Sequence, residues 1–457
     1  MSSKTTKNLT LFSITWPIFI EILLHMLMGN ADTLMLSQYS DESVAAVGVS
    51  NQILSVVIVM FGFVAQGAAV LIAQNIGADK PKAAGQIALN ALSMNLLFSI
   101  LLSICLFIWG KPILTMMDLP PELMGEGLSY MKIVGGFIFI QALIMTTGAI
   151  LRSYGHTKDT MIVTIGMNIL NVIGNYFAIF GPFGFPVLGV EGVAYSTAIS
   201  RLIGFIALIL LLVKRTGEEI NYKYFFRYEK VHVKSLLKIG IPSAGEQLSY
   251  NASQMVITYF VAQLGTIAIT TKVYTQNIMM FIFLFSVAIG QGTQILIGHM
   301  IGAGKIEDAY ERALKSLRLS IFISLTMAGV VYLIAKPFLG IFTDNASIIE
   351  AGTFLLLLTI ALEPGRAFNL VMISSLRAAG DVKFPVYIGI VVMWGVSVTF
   401  SWFFGIYLEL GLIGIWIAFI ADEWLRGVLM LRRWKQRNWV NMSFVQKDKD
   451  EVTGEAR

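Results

Sequence analysis

Twelve long apolar runs divide this chain, each closed by a short polar loop. They begin near Leu9, Val44, Ile87, Leu128, Met161, Leu188, Leu236, Thr266, Ala313, Ile348, Pro385 and Leu410. About 20 apolar residues in a helix cross the hydrocarbon of a bilayer. Runs this long and continuous predict helices, because barrel strands would be short and would alternate in polarity. The chain is 56% hydrophobic and only 13% charged over 457 residues, which no soluble domain of that length matches. The expected fold class is therefore an all-α polytopic membrane protein with 12 transmembrane helices. The net charge of +5 does not mark a nucleic-acid partner, because the basic residues sit in short loops rather than on one soluble face. Cys105 is the only cysteine, which excludes an intramolecular disulfide, and no Cys/His metal spacing occurs. MSSKTTKN lacks a cleavage pattern and runs straight into the first span, which is expected to stay as a signal anchor.

The loops alternate in charge. Lys4 and Lys7 precede the first span, and the next loop, QYSDES, has no basic residue. Lys80 and Lys82 follow, then an acidic loop with Asp118, Glu122 and Glu126, then Arg152 and Lys158, then the neutral GPFGFPVLG. The second half repeats the order, with Lys305, Arg312 and Lys315, acidic Asp344 and Glu350, basic Arg377 and Lys383, acidic LELG, and a tail with Arg432, Arg433, Lys435 and Arg437. Lys111 and Lys336 break the pattern, each just before a proline. Basic loops stay inside, so both termini are expected in the cytoplasm of a cell (inner) membrane protein.

The two halves are copies. A shift of 225 residues carries Pro17 to Pro242, Glu21 to Glu246, Gln66-Gly67 to Gln291-Gly292, Ile76-Gly77-Ala78 to Ile301-Gly302-Ala303, and Lys80 to Lys305. It also carries Lys111-Pro112 to Lys336-Pro337, Leu151-Arg152 to Leu376-Arg377, Gly155 to Gly380 and Lys158 to Lys383. A shift of 222 then pairs Leu188-Gly189 with Leu410-Gly411 and Gly192 with Gly414. One register held over so many Gly, Pro and charged positions is a duplication. The expected division is an N-lobe over 1–213, a cytoplasmic linker over 214–234, a C-lobe over 235–435 and a cytoplasmic tail over 436–457. Six spans per copy start both copies on the same side, so the repeats are parallel, with a pseudo-two-fold axis along the membrane normal. Such repeats are expected to place substrate between the halves and to expose it to each side in turn, which argues for transport.

Ionisable residues inside spans are the candidate functional groups, because a charge at the bilayer centre costs about 2.5–3.5 kcal/mol on insertion scales. Glu21, His25 and Asp32 lie one and then two helical turns apart on one stripe of the first span. Either they form a buried packing cluster or they face a wet functional cavity; the cost of placing them there favours the cavity. Glu21 and its repeat mate Glu246 each follow a proline by four residues, as duplicated packing features or as gates beside a bend. Asp32 falls on Ile257 and has no acidic mate. In the fifth span Asn168, Asn171 and Asn175 share a face, as ligands for a hard cation or as helix–helix glue. Glu363 and Arg366 lie one turn apart beside Pro364, as an internal ion pair or a switchable one. Asp422, Glu423 and Arg426 are expected to form a buried packing network, with Arg201 joining them. The intramembrane charges read as mostly acidic. No P-loop, HExxH, GxSxG or His/Cys cluster occurs, so neither an enzyme nor direct ATP drive is expected.

These features resemble the multidrug and toxic compound extrusion (MATE) family, within the MOP flippase superfamily. The resemblance rests on Pro17 with Asp32 and the following LSQYSDESVAAVGVSNQI, on the paired AQNIGADKPKAAG and GHMIGAGKIEDA, on LRSYGHTKD and LRAAGD, and on LGVEGVAYSTAISR. It implies two six-helix lobes in a V around a cavity. It further implies secondary active antiport, with organic, often cationic, compounds exported in exchange for Na⁺ or H⁺. The family's N-lobe cation site falls on Asp32, Asn171, Asn175 and Thr197; some relatives carry Asp where Asn175 stands. Glu21, His25, Glu246, Glu363 and Arg366 are assigned to the substrate cavity or its gating. Glu246 and Glu363 lie in the spans that hold C-lobe acids in some relatives but do not fall on that pattern. No cofactor is expected beyond the coupling ion, and no metal beyond a Na⁺ at Asp32. The expected partners are small organic molecules and membrane lipid, with no nucleic acid, and the chain is expected to work as a monomer. The alternative is a flippase for a lipid-linked precursor or polysaccharide unit.

Overall fold

Each predicted run forms a long helix in the computed structural model, which describes residues 9–220 and 225–445. Lys4 and Lys7 of the charge alternation, the MSSKTTKN segment, Lys223 of the expected linker and the last part of the tail lie outside the described residues. The helices are α1 (Leu11–Ser37), α2 (Asp41–Gly77), α3 (Pro81–Met116), α4 (Pro121–Gly135 and Ile138–Ser153), α5 (Thr157–Phe180) and α6 (Gly189–Thr216). The second copy supplies α7 (Lys230–Gln263), α8 (Thr266–Gly302), α9 (Ile306–Leu333), α10 (Ala346–Ala379), α11 (Lys383–Tyr407) and α12 (Gly411–Lys435). A short helix, Ala335–Gly340, follows α9. No strand occurs among the described residues.

Helix ends follow local chemistry. Asn345 caps α10 by accepting from the backbone N–H groups of Ser347 and Ile348. Gly380 ends the same helix at φ +100°, a conformation that favours glycine. α7 starts at Lys230, inside the stretch expected to be linker. α4 bends by 40° between its halves, after a π-helical stretch over Met131–Gly135.

Nine of these helices are long and apolar enough to cross a membrane, and the bent α4 makes a tenth among the described residues. α7 and α12 are as long but more polar, since α7 carries Glu246 and α12 carries Asp422, Glu423 and Arg426. Their charges turn inward onto partners described below. Large apolar side chains face outward instead, as with Leu97, Leu101, Ile104, Phe107 and Ile108 on α3 and Phe322, Leu325 and Leu333 on α9. Such strips are an aggregation hazard in water and a good fit to acyl chains.

The chain divides into two units of contact. The first comprises mainly Trp16–Ile72 and Lys80–Gly240, with a core around Leu54, Phe61, Leu106, Met131 and Ile138. The second comprises mainly Ala73–Asp79 and the chain from Ile241 onward, with a core around Ile257, Ile278, Leu339, Leu355 and Trp416. The last turn of α2 therefore groups with the second unit. Its Gly77 lies so close to α8 that a Cβ there would sit 2.0 Å from the His299 carbonyl oxygen. Reciprocally, a Cβ on Gly302 would sit 1.9 Å from the Gln74 carbonyl oxygen. Both pairs obey the 225-residue shift, so the duplicated glycines serve one close crossing.

Candidate functional site

In the first unit the polar stripe of α1 lies along a polar stripe of α5. Glu21, near the start, accepts from Arg152 Nη1 of α4 at 2.6 Å and from Thr160 Oγ1 of α5 at 2.9 Å. Eleven residues on, Asp32 Oδ1 accepts from Asn175 Nδ2 at 2.6 Å. Asn175 also reaches Asn171 Oδ1 at 3.5 Å, and Asn171 Nδ2 donates to Thr197 Oγ1 of α6 at 3.3 Å. The Thr197 hydroxyl donates back to the Val193 carbonyl, and Ser196 Oγ donates to the Asn171 carbonyl. Asp32, Asn171, Asn175 and Thr197 are all buried. The residues matched by family resemblance thus form one connected chain across three helices. The carboxylate and amide oxygens suit a hard cation, and the buried Asn175 Oδ1 has no hydrogen-bond partner among the described residues. His25 is half-buried between the two ends of the stripe and feels the charges of Glu21, Arg152 and Arg201.

The second unit repeats the first motif and then departs from it. Glu246 pairs with Arg377, the repeat mates of Glu21 and Arg152. The duplicated carboxylates are therefore each held by an arginine, and neither is a free acid beside its proline. The departure is a charge network. Glu363 Oε1 accepts from Arg366 Nη1 at 2.7 Å, Arg366 Nε reaches Glu423 Oε1 at 3.5 Å, and Arg426 Nη2 reaches the same oxygen at 3.3 Å. Arg426 also binds Asp422, and Asn369 Nδ2 donates to Glu423 Oε2 at 2.9 Å. Two groups that the sequence suggests as separate, Glu363 with Arg366 and Asp422 with Glu423 and Arg426, are one network. Arg366, Asp422, Glu423 and Arg426 of this network line a polar cavity with Tyr250 and Gln254, while Glu363 is fully buried behind it.

Two expectations are corrected. Arg201 does not join Asp422 and Glu423; it stands in the first unit, within electrostatic reach of Asp32 and Tyr130. The 222-residue shift lays Arg201 on Glu423, so the two copies carry opposite charges at one position. Nor are the intramembrane charges mostly acidic. Glu21, Glu246, Glu363, Asp422 and Glu423 each bond an arginine, while Arg201 and the buried Lys272 bond no acid among the described residues. An unpaired acid in hydrocarbon is costly, so partners were to be expected; arginines at turn spacing on neighbouring helices are the signal that shows them.

Known proteins match this sequence along nearly its whole length. The MatE family model matches twice, at residues 17–177 and 242–403, and the two starts differ by the same 225 residues that relate the halves. The uncharacterized transporter YisQ of Bacillus subtilis is 56% identical over 434 residues, covering 95% of each chain. A probable multidrug resistance protein NorM of Thermotoga maritima is 27% identical, covering 97% of this chain and 96% of its own. Among solved structures, a MATE in the bent conformation aligns with a TM-score of 0.85 at 20% identity, covering 93% of this chain and 94% of that one. An outward-facing multidrug resistance MATE transporter of the MOP superfamily aligns with a TM-score of 0.85 at 20% identity, covering 96% of each. The doubled family match and the 56% relative place this chain in the MATE family of integral membrane transporters.

Proposed function

We propose that this chain is a secondary active antiporter that exports organic compounds, drugs and toxins among them, in exchange for Na⁺ or H⁺ by alternating access. The observation that carries the reading is Asp32, a buried carboxylate in α1 whose contact is a neutral amide rather than an arginine. Glu21, Glu246, Glu363, Asp422 and Glu423 are each bonded by a guanidinium; Asp32 is left to bind a cation. The coupling ion is a transported co-substrate, and it drives export only if Asp32 holds it more tightly in one state of the cycle than in the other. Relatives named as multidrug resistance proteins, the Thermotoga NorM and PmpM of Pseudomonas aeruginosa, support organic compounds as cargo. The reading includes two six-helix lobes joined by the basic linker, both termini in the cytoplasm, and function as a monomer.

The test is efflux from proteoliposomes of a cationic dye, under a Na⁺ gradient and separately under a pH gradient, with Asp32→Asn as the control. Transport driven by one gradient and lost in the variant supports the reading and names the ion. Transport that ignores both gradients, or that survives Asp32→Asn, sinks it. The flippase alternative draws support from Arg201, a cation near the cavity stripe with no bonded acid. It predicts gradient-independent movement of a lipid-linked substrate in the same vesicles.

A further inference from the structure

The hydrogen-bond chain of the first unit leaves two polar groups unused at one level of the membrane. α5 and α6 run antiparallel, and close contacts set their register. Gly192 meets Ala178, Gly174 meets Ser196, Asn171 meets Thr197, and Gly204 meets Met167. In that register Asn168, one turn before Asn171, stands level with Arg201, one turn after Thr197. Asn168 is only 8% exposed, yet neither its Nδ2 nor its Oδ1 has a hydrogen-bond partner among the described residues. Arg201 has a buried, unpartnered Nε and makes no hydrogen bond or ion pair with any described residue. Asp32 lies within electrostatic reach but bonds Asn175 instead.

A buried amide with nothing to bond, beside a half-buried guanidinium whose Nε is buried and unpartnered, is costly to keep. An amide NH₂ level with a planar guanidinium fork on the neighbouring helix offers N–H donors to an oxyanion. The nearby Asp32 carboxylate limits what that anion is. A single negative charge is matched by Arg201, whereas a pyrophosphate would bring excess charge against Asp32. We propose that Asn168 and Arg201 form a subsite for a carboxylate carried by the exported compound, with Asp32 facing the cationic end of the same molecule. The preferred cargo is thus zwitterionic. This deepens, and rests on, the export reading above.

The experiment is equilibrium binding to the full chain in nanodiscs. The probes are aryl-piperazine carboxylates (a fluoroquinolone among them), each compared with its methyl ester, which keeps the cation and removes the anion. The wild type is expected to bind the acids about 10- to 100-fold more tightly than the esters, the range of a charge-assisted hydrogen-bonded pair. Arg201→Gln and Asn168→Asp are expected to remove that preference and to leave ester binding within about threefold of the wild type. Arg201→Lys is expected to retain part of the preference, because it keeps the charge and loses the fork. Ester binding also reports folding, and Asn168→Asp carries the test if Arg201→Gln does not fold. Equal binding of acid and ester by the wild type, or parallel loss of both in the variants, overturns the proposal, since Arg201 then only balances Asp32. Competition by chloride, or by anionic lipid in the nanodisc, that abolishes the acid preference also overturns it, by assigning the site to a free anion or a lipid phosphate. Gradient-driven efflux separates the two readings. Efflux without acid preference removes the subsite alone, and acid preference without gradient-driven efflux removes the antiport reading.

Discussion

The duplicated ion pair permits a quantitative comparison inside one molecule. Arg152→Met and Arg377→Met remove the same partner from the two copies, leaving Glu21 and Glu246. The side chains of both pairs are at most 18% exposed, so solvent screens them little. Removing one partner from a buried pair costs about 3–5 kcal/mol, because the remaining charge is left uncompensated. The copies differ in what remains. Glu21 keeps the 2.9 Å hydrogen bond from Thr160, whereas the 225-residue shift puts Pro385 at that place in the second copy. Glu246 then has no hydrogen-bond donor left among the described residues. A hydrogen bond to a charged group contributes about 1.5–3 kcal/mol. Arg377→Met should therefore destabilise by about 1.5–3 kcal/mol more than Arg152→Met. The assay is denaturant unfolding in mixed micelles followed by tryptophan fluorescence, and adding Thr160→Val to Arg152→Met should bring the two copies level. Equal costs for the two arginine variants, or a larger cost for Arg152→Met, would refute the reasoning.

Other consequences are more direct. Asn175→Ala takes the 2.6 Å donor from Asp32 and should lower gradient-driven efflux at least about tenfold while sparing folding, checked by initial rates and gel filtration. Gly302→Ala should reduce folded yield sharply, since its Cβ would lie 1.9 Å from a backbone oxygen; Gly29→Ala, with nothing within 4 Å, should be neutral or stabilising by about 0.5–1 kcal/mol. Gln74 donates to the Ala378 carbonyl at 2.7 Å and accepts from the Phe444 N–H at 2.8 Å and from Ser443 Oγ at 3.2 Å. Gln74→Ala should expose the segment after α12 to limited proteolysis, and an unchanged cleavage pattern would count against that anchoring.

Much of the candidate site is legible in the amino-acid sequence. Asp32, Asn171, Asn175 and Thr197 follow from polar residues at turn spacing plus the family's pattern, and they meet in one hydrogen-bonded chain. The pairing of Glu21 with Arg152 is encoded in the repeat itself. The same shift that carries Glu21 to Glu246 carries Arg152 to Arg377, and a contact preserved in both copies keeps both its ends in register. The fusion of Glu363, Arg366, Glu423, Arg426 and Asp422 was not legible, because Arg366 and Glu423 are far apart in sequence and meet only when α10 packs on α12. The surroundings of Arg201 are illegible for the same reason, since they are set by α1, α4 and α5 rather than by its own helix.

The sequence by itself determined the membrane class, the number of long helices and the duplication. These depend on apolar content summed over about 20 consecutive residues and on register, which are local and additive. Only the tertiary structure decided which buried charges are neutralised and which are free. That turns on a few ångströms between side chains more than a hundred residues apart, and a charge in hydrocarbon is tolerable or costly according to whether that gap is closed.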